Sequence, residues 1–443
     1  MSRLPSSVAR RRFLQSSALG LSGLAAARWL PALAAAGDAG NPKSCIVLWM
    51  AGGPSQLDTL DPKPDHENGG EFKPIATAVP GIQVAEHLPG LAREMADVAL
   101  IRTMSTKEGD HGRATYLGHT GRLPAGAIKY PTMGSFVSHA LSDRPSDLPQ
   151  FVSIAPNRFL SPEAFSPGFL GSRSAPLVVG DVNISRPVAD QSGLAVANLQ
   201  SPEGVDDSRL TRRLELLDAM QSRFTAARPD AIVESHRTAY EKAVRMMRSS
   251  AAEAFDTASE PDAIRDAYGR NLFGEGCLVA RRLIERGVKF VEVSLNGVDG
   301  NNGIGWDTHA DNFESVRRLC GVLDPAWSTL IGDLRTRGML DDTLVVWMGE
   351  FGRTPGINDS GGRDHSAAAW STALAGGGIR GGQVIGKTSA DGTLIEDRPV
   401  TMPDFLATVC HTLRLDASET NMSNVGRPIP LVDAEAEPIA ELL

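Results

Sequence analysis

The chain is poor in cysteine. Its 443 residues hold four, Cys45, Cys277, Cys320 and Cys410, and no two form a C-x-x-C pair. That pattern argues against a disulfide framework and against a C-x-x-C redox or zinc motif. Each stands in an apolar stretch, where a free Cys serves as a small core hydrophobe, so four buried thiols are expected. Basic charge is also in deficit: 44 Lys and Arg face 53 Asp and Glu, for a net charge of −9. An acidic surface repels a phosphate backbone, so nucleic acid is not an expected partner. A small anionic substrate stays open, because a local Arg cluster outweighs distant surface charge. No Pro- or Ser-rich linker and no internal repeat divides the sequence, so one long α/β unit is expected over residues 37–443.

What the N-terminus does have is the order of an export signal. Arg10-Arg11-Arg12-Phe13-Leu14-Gln15 leads into a stretch, 16–33, rich in Ala, Leu and Gly. Ala32-Leu33-Ala34 and Ala34-Ala35-Ala36 are small-x-small cleavage sites, as a signal peptidase requires. Arg10-Arg11 with Phe13 and Leu14 behind it resembles the twin-arginine consensus. The rival is a retained membrane anchor. Against it, Ser16, Ser17, Ser22, Arg28 and Pro31 interrupt the run, and a spanning helix needs roughly 20 mostly apolar residues. The expectation is a signal peptide over 1–36, the twin-arginine translocase as a partner, and a periplasmic or extracellular protein with no stable membrane span after cleavage. Removing residues 1–34 takes away five Arg and no acid, leaving 39 basic against 53 acidic side chains, net −14.

Short apolar runs with glycine flanks read as buried strands. They fall at 44–50, 98–102, 151–155, 176–180, 288–295, 343–348 and 370–375. Helical patterns lie between them. Residues 208–254 carry Leu214, Leu217, Met220 and Phe224 at helical spacing, with Pro229 as a break. Further helices are expected over 276–286, 312–338 and 402–413, the last with Thr401 as N-cap and Pro403 in the first turn. Helices alternating with strands predict a mostly parallel sheet covered on both faces, with a helical insertion at about 200–275. Working residues in such sheets gather beyond the carboxyl ends of the strands.

Polar residues follow three of those strand ends. The first strand runs into Gly52-Gly53-Pro54-Ser55-Gln56-Leu57-Asp58, the second leads to Trp306-Asp307-Thr308-His309, and the third to Gly349-Glu350-Phe351-Gly352-Arg353. A Gly-rich loop adds Gly361-Gly362-Arg363-Asp364-His365. Carboxylates with imidazoles suit a divalent metal: zinc, manganese or calcium. Asp58, Asp307, His309, Glu350 and His365 are the candidate ligands. Each has a plainer reading. Glu350 is otherwise a solvated loop acid, Asp307 a helix cap and His309 a backbone hydrogen-bonder, and Asp364 orients His365 instead of binding metal. Arg113 and Arg353 are candidates to clamp an anionic group, with salt-bridge duty as the alternative. His66, His87, His119, His139, His236 and His411 are taken as structural or exposed.

Taken together, Gly53-Pro54-Ser55-Gln56-Leu57-Asp58-Thr59-Leu60-Asp61-Pro62-Lys63-Pro64, Arg113-Ala114-Thr115-Tyr116, Gly121-Arg122-Leu123-Pro124, Trp306-Asp307-Thr308-His309 and Gly349-Glu350-Phe351-Gly352-Arg353-Thr354-Pro355 resemble the exported family called domain of unknown function 1501. That family in turn resembles the alkaline phosphatase and sulfatase superfamily, which implies an alkaline-phosphatase-like α/β/α sandwich. The stretch from Leu340 to Gly352 is similar to the late sulfatase strand that ends in Asp-His-Gly, and that from Arg113 to Arg122 to the nucleophile helix. The departures are specific. The nucleophile position falls near Gly109, with Asp110-His111 beside it and no Cys, Ser or Thr, so His111 is the replacement. The acidic pair implied after the first strand is Gly52-Gly53. The late Asp-His is Glu350-Phe351, and His365 matches the late His. The resemblance implies a metal-dependent hydrolase of phosphate or sulfate esters, with carbohydrate among the substrates. The rival is a non-catalytic descendant that binds anionic glycans or a partner protein.

Overall fold

The parallel sheet follows from strands that are apolar on both faces. In the computed structural model, which describes residues 43–141, 146–180, 194, 205–227, 237, 240–241, 243–247, 250–298 and 303–443, alternate residues of each strand enter two separate cores. The expected signal segment 1–36 and the helix break at Pro229 lie outside the described residues. The strands of the main sheet are β1 (Ser44–Met50), β2 (Val98–Ser105), β3 (Phe151–Ile154), β4 (Leu177–Val179), β5 (Phe290–Leu295), β6 (Thr343–Met348), β7 (Trp370–Gly376), β8 (Gln383–Ile385) and β9 (Val400–Thr401). Their order is β8-β2-β7-β6-β1-β5-β3-β4, with β9 also beside β2. Every pairing is parallel except those of β7, which runs antiparallel to both β2 and β6.

The helices are α1 (Pro89–Glu94), α2 (His111–Thr120), α3 (Met133–Ala140), α4 (Asp207–Ala227), α5 (Asp262–Tyr268), α6 (Leu272–Glu285), α7 (Asn312–Thr336) and α8 (Met402–Thr412). Ile46, Leu48 and Met50 of β1 share one core with Cys277, Leu278 and Leu283 of α6 and Leu319 and Leu323 of α7. Cys45 and Trp49 of the same strand share the other with Met133 and Phe136 of α3 and Phe405 and Val409 of α8. A sheet buried on both faces by helices is the three-layer α/β/α sandwich that the strand pattern predicts. Residues Lys43–Leu443 form one compact unit. The described part of 200–275 is helical, with α4, α5 and short 3-10 turns at Ser250–Phe255 and Thr257–Ser259. No helix among the described residues is long and apolar enough to cross a membrane. All four cysteines are free and buried.

Register sets the position of the site. Met50 of β1 pairs with Leu295 of β5, and Trp49 with Met348 of β6. Three parallel strands therefore end level with one another, and the loops that follow them leave from a single edge.

Candidate metal centre

The loops at that edge interlock through backbone. Trp306 N–H donates to the Ala51 carbonyl at 3.1 Å, which draws the Asp307 loop across the end of β1. The approach needs a residue without a side chain: a Cβ on Gly52, whose φ is +115°, would sit 2.4 Å from Asp307 N. Past β6, Glu350 is only 2 % exposed. Its carboxylate accepts the Gly52 N–H at 3.0 Å. Gly352–Arg353 then pairs antiparallel with His365–Ser366, so that His365 lies opposite Arg353. Between them the chain docks on the Asp307 loop: Arg363 N–H donates to Thr308 O at 2.9 Å and Asn312 N–H to Gly361 O at 3.1 Å. Here too a side chain is excluded, since a Cβ on Gly362 would meet His309 C at 2.0 Å. The fourth contributor is α2, capped by Asp110, whose side chain accepts from Arg113 N at 3.0 Å. His111 is the first residue of that helix.

Four side chains converge on one oxygen. Asp307 Oδ1 lies 3.2 Å from His111 Nε2, 3.1 Å from His309 Nε2, 3.2 Å from His365 Nε2 and 2.6 Å from an Arg353 Nη. Each imidazole is held from behind by its other nitrogen. His111 Nδ1 lies 2.7 Å from Glu350 Oε1, His309 Nδ1 2.7 Å from Asp364 Oδ1, and His365 Nδ1 2.8 Å from Gly109 O. Ionised carboxylates and carbonyls only accept, so each Nδ1 carries a proton, and it is the Nε2 of each ring that is turned toward Asp307. His309 Nε2 and His365 Nε2 are 2.9 Å apart. At that distance either a proton on one nitrogen bridges the two or a cation is shared between them. His111 Nε2 is buried without a hydrogen-bond partner, so its approach to Asp307 is close but out of line.

The charges divide the cluster, His111 favouring its protonated form and His365 its neutral one. Burial works against an ionised Asp307, but His111 and Arg353 beside it prevail and hold its carboxyl well below the usual carboxylate range. Burial likewise opposes a charged His111, yet Asp307 and Glu350 outweigh it and push the imidazole up to about 9. His365 goes the other way: burial, with the positive charges of His111 and Arg353, holds it below the ordinary histidine value despite its bond to Gly109. His365 therefore presents a lone pair, as a ligand must.

Not every residue picked from sequence joins the cluster. Asp58 leaves from the same sheet edge, but its carboxylate is held bidentately by Arg363 at 2.7 and 3.0 Å and by Asn312 Nδ2 at 2.8 Å. A carboxylate so engaged is not a ligand, and the expectation for Asp58 is corrected to a buried ion pair. Glu350 reaches the cluster through His111, and both its oxygens also face the Gly52 N–H. Arg353 is fully buried. It donates to Gly53 O at 2.9 Å, to Arg363 O at 3.3 Å and to Gly52 O, so the peptide of the missing acidic pair holds a fixed cation. Arg113 lies outside the cluster; its side chain is 51 % exposed and bonded to Glu108 at 2.6 Å. Asp364 orients His309 rather than His365. Sequence reasoning missed Arg363, and nothing in Gly361-Gly362-Arg363 marks it as the partner of a carboxylate 305 residues earlier.

The donor set passes a simple test for a metal. Ligands at roughly 2.0–2.1 Å around a tetrahedral ion stand about 3.3 Å apart; the three Nε2–Asp307 separations and that between His309 and His365 run from 2.9 to 3.2 Å. His111, Asp307 and His365 form a ligand-competent group, with each donor atom within 4.8 Å of the others. His309 joins it through Nε2 and, with a 45 % exposed side chain, opens one side of the group to solvent.

Solved structures similar to this chain include the lipoteichoic acid synthase LtaP from Listeria monocytogenes, at 10 % identity over 85 % of this chain and 73 % of that one, TM-score 0.41. Another is the PsFucS1 sulfatase from Pseudoalteromonas sp., at 11 % identity over 85 % and 68 %, TM-score 0.39. A third is the alkaline phosphatase from the Antarctic bacterium TAB5, at 15 % identity over 78 % and 95 %, TM-score 0.35. No curated protein matches. A family model does match, over residues 42–443, and the chain thus belongs to the family described as protein of unknown function, DUF1501.

Proposed function

We propose that this protein is an exported, metal-dependent hydrolase of phosphate or sulfate esters, carbohydrate esters among them. The observation that carries the reading is the convergence of three imidazole Nε2 atoms on Asp307 Oδ1, with two of them 2.9 Å apart. His111, Asp307, His309 and His365 would hold the ion. Three imidazoles and one carboxylate favour a transition metal such as zinc or manganese over calcium, which takes oxygen ligands. A divalent ion held there supplies Lewis-acid polarisation of the ester oxygen and an acidified water.

The other side chains prepare the site. Glu350, Asp364 and the Gly109 carbonyl fix the three ring orientations, as partners behind metal-bound histidines do. Arg353 neutralises Asp307 and holds it in place. The expected substitution of His111 for a nucleophile gives way to a ligand role, because its Nε2 faces Asp307. Among the described residues none of the cluster's side chains carries a hydroxyl or thiol, so we assign water as the nucleophile. Arg113, two residues along the helix from His111 and half in solvent, is the candidate to meet the anionic group; Arg353 has no exposed surface to offer.

The reading predicts about one transition metal per chain in protein folded in metal-rich medium. His365→Ala should lose it. Glu350→Ala, which leaves the ligands but frees His111, should weaken binding about 10–100-fold. Elemental analysis of the three proteins, beside a screen of aryl phosphates and sulfates with and without chelator, checks this. A second reading is a non-catalytic binder of anionic glycans or a partner protein. It draws on Arg353, which already supplies one cation to Asp307. Wild type empty of metal and inert on every ester would establish that reading instead.

Export by the twin-arginine route to the periplasm or beyond belongs to the same proposal. It rests on Arg10-Arg11 ahead of an uncharged stretch.

A further inference from the structure

We infer that Phe159 and Leu160 form an apolar shelf at the mouth of the metal centre that receives the alcohol part of the ester. The preferred substrates are then esters of ring-bearing alcohols. This inference rests on the hydrolase reading above.

Strand β3 runs parallel to β5 and stops two residues short of its end, Ile154 pairing with Val293, so the segment after it leaves toward the edge that carries the site. It turns at once. Ala155 adopts a left-handed conformation with φ +52°, uncommon for a residue with a side chain. The turn is pinned by the Ala155 N–H on Val179 O at 2.8 Å and by Asn296 Nδ2 on Ala155 O at 2.6 Å. Asn157 is buried and acts in two directions. Its Oδ1 accepts the Phe159 N–H at 3.2 Å, and its Nδ2 donates to Gly303 O at 2.6 Å. The first bond fixes the backbone at Phe159. The second ties it to the loop that carries Asp307. One residue on, the Leu160 carbonyl packs against the first turn of α2, where a Cβ on Gly112 would lie 2.9 Å from it; Gly112 is the neighbour of His111. Beyond that, Phe165 lies tilted against His119 of the same helix at 4.6 Å between ring centres and shares a small core with Tyr116 and Ala164.

The segment is therefore anchored at both ends and in the middle, to the two elements that carry His111 and Asp307. Yet Phe159 is 70 % exposed, more than any other large apolar side chain among the described residues, and Leu160 is 39 % exposed. An aromatic ring on a fraying loop needs no explanation. One held in water by a buried Asn and a left-handed turn, on a segment packed against the first turn of α2, is presented for contact. The anionic end of an ester belongs at the metal, so its alcohol end must extend past the cluster's rim. A phenyl face offers an alcohol with a flat apolar side, aryl or the C–H face of a sugar, what water does not.

The test uses pairs of stable probes with the same anionic head. Calorimetry of the metal-loaded protein should show phenylphosphonate binding about 10-fold or more tightly than methylphosphonate, as covering one ring predicts. Phe159→Ala should bring that ratio close to one while leaving methylphosphonate affinity, metal content and Tm unchanged; Phe159→Tyr should retain it. The phosphonate isostere of glucose 6-phosphate against ethylphosphonate separates the sources: a preference lost in Phe159→Ala assigns sugars, and its absence assigns aryl esters. Equal affinity of wild type for phenylphosphonate and methylphosphonate, or a ratio that survives Phe159→Ala, overturns the shelf but not the hydrolase. Failure of metal-loaded wild type to bind any of the four overturns the hydrolase reading and the shelf with it.

Discussion

Asp58 and Arg363 are both fully buried, and a buried charge is tolerated only when its partners are in place. Arg363 forks onto both oxygens of Asp58, and its remaining donors reach Asn68 O at 2.8 Å, Thr354 O at 3.4 Å and Pro355 O. Removing one member strands the other in a low-dielectric interior. Asp58→Ala should therefore cost about 3–5 kcal/mol of stability, the usual cost of breaking a buried pair. Metal content per folded chain should stay unchanged, since Asp58 is not a ligand. Denaturant unfolding with metal analysis of the folded fraction checks both halves. A loss under about 1 kcal/mol would sink the ion-pair account, and lost metal would return Asp58 to the site. Sequence reasoning placed Asp58 beyond a strand end, which is where it is, but could not see that Arg363 would reach it first. Asp307 and His309 beyond a strand, His365 in the Gly-rich loop and His111, reached only through the resemblance, do stand together. Which nitrogen of each ring is held, and by what, depends on contacts such as Gly109 O to His365, which leave no mark in sequence.

At the scale of elements, α2 has to present His111 at a fixed depth, and its inner end is secured to the sheet. His119 Nε2 lies 3.0 Å from Glu292 on β5, and its Nδ1 lies 2.8 Å from Thr115 O, with Trp49 and Phe165 packed on the ring. Burial opposes a charged imidazole there, but Glu292 outweighs it and raises His119 above the ordinary histidine value. A group whose folded value is raised binds its proton more tightly folded than unfolded. Its contribution is therefore full below the unfolded value of about 6.5 and is lost as pH climbs through the folded one. His111 titrates in the same direction, so the informative quantity is the stability of wild type minus that of Glu292→Gln. That difference should be about 3 kcal/mol near pH 6 and shrink as pH rises to 9. A difference flat across that range would show that the pair does not titrate as argued. The elements themselves were largely legible. Ser44–Met50 and Thr343–Met348 fall where glycine ends the apolar run. Strand β2 continues past the expected stop because Arg102 turns its guanidinium outward onto Leu60 O and Gln83 O while the strand goes on. The reversed direction of β7 was not legible, because a fully buried apolar run reads the same both ways. The two-residue ladder that carries His365 is too short to have a period.

If the proposed export holds, the molecule folds in one compartment and works in another, and its four thiols bear on the order. All four cysteines are buried and free. Burial pushes the Cys410 thiol up to about 12 and the other three higher still. Inside the fold they are inert. A chain threaded unfolded into an oxidising compartment would expose four thiols before any core protected them, and disulfides would form at random. The proposed metal site sharpens the point, since residues 111 to 365 must be assembled before it exists. A route that passes folded proteins removes both hazards, and Arg10-Arg11-x-Phe13-Leu14 ahead of a run free of charge to residue 27 resembles the signal of the proposed twin-arginine route. Replacing Arg10 and Arg11 together by Lys preserves charge and hydropathy, so a general secretory signal would still function. The double variant is expected to remain in the cytoplasm as uncleaved precursor, folded and carrying the same metal as the exported protein. Cell fractionation with elemental analysis reads both outcomes. Normal export of the variant would remove the twin-arginine assignment, and a retained precursor that is folded but metal-free would place metal loading after export.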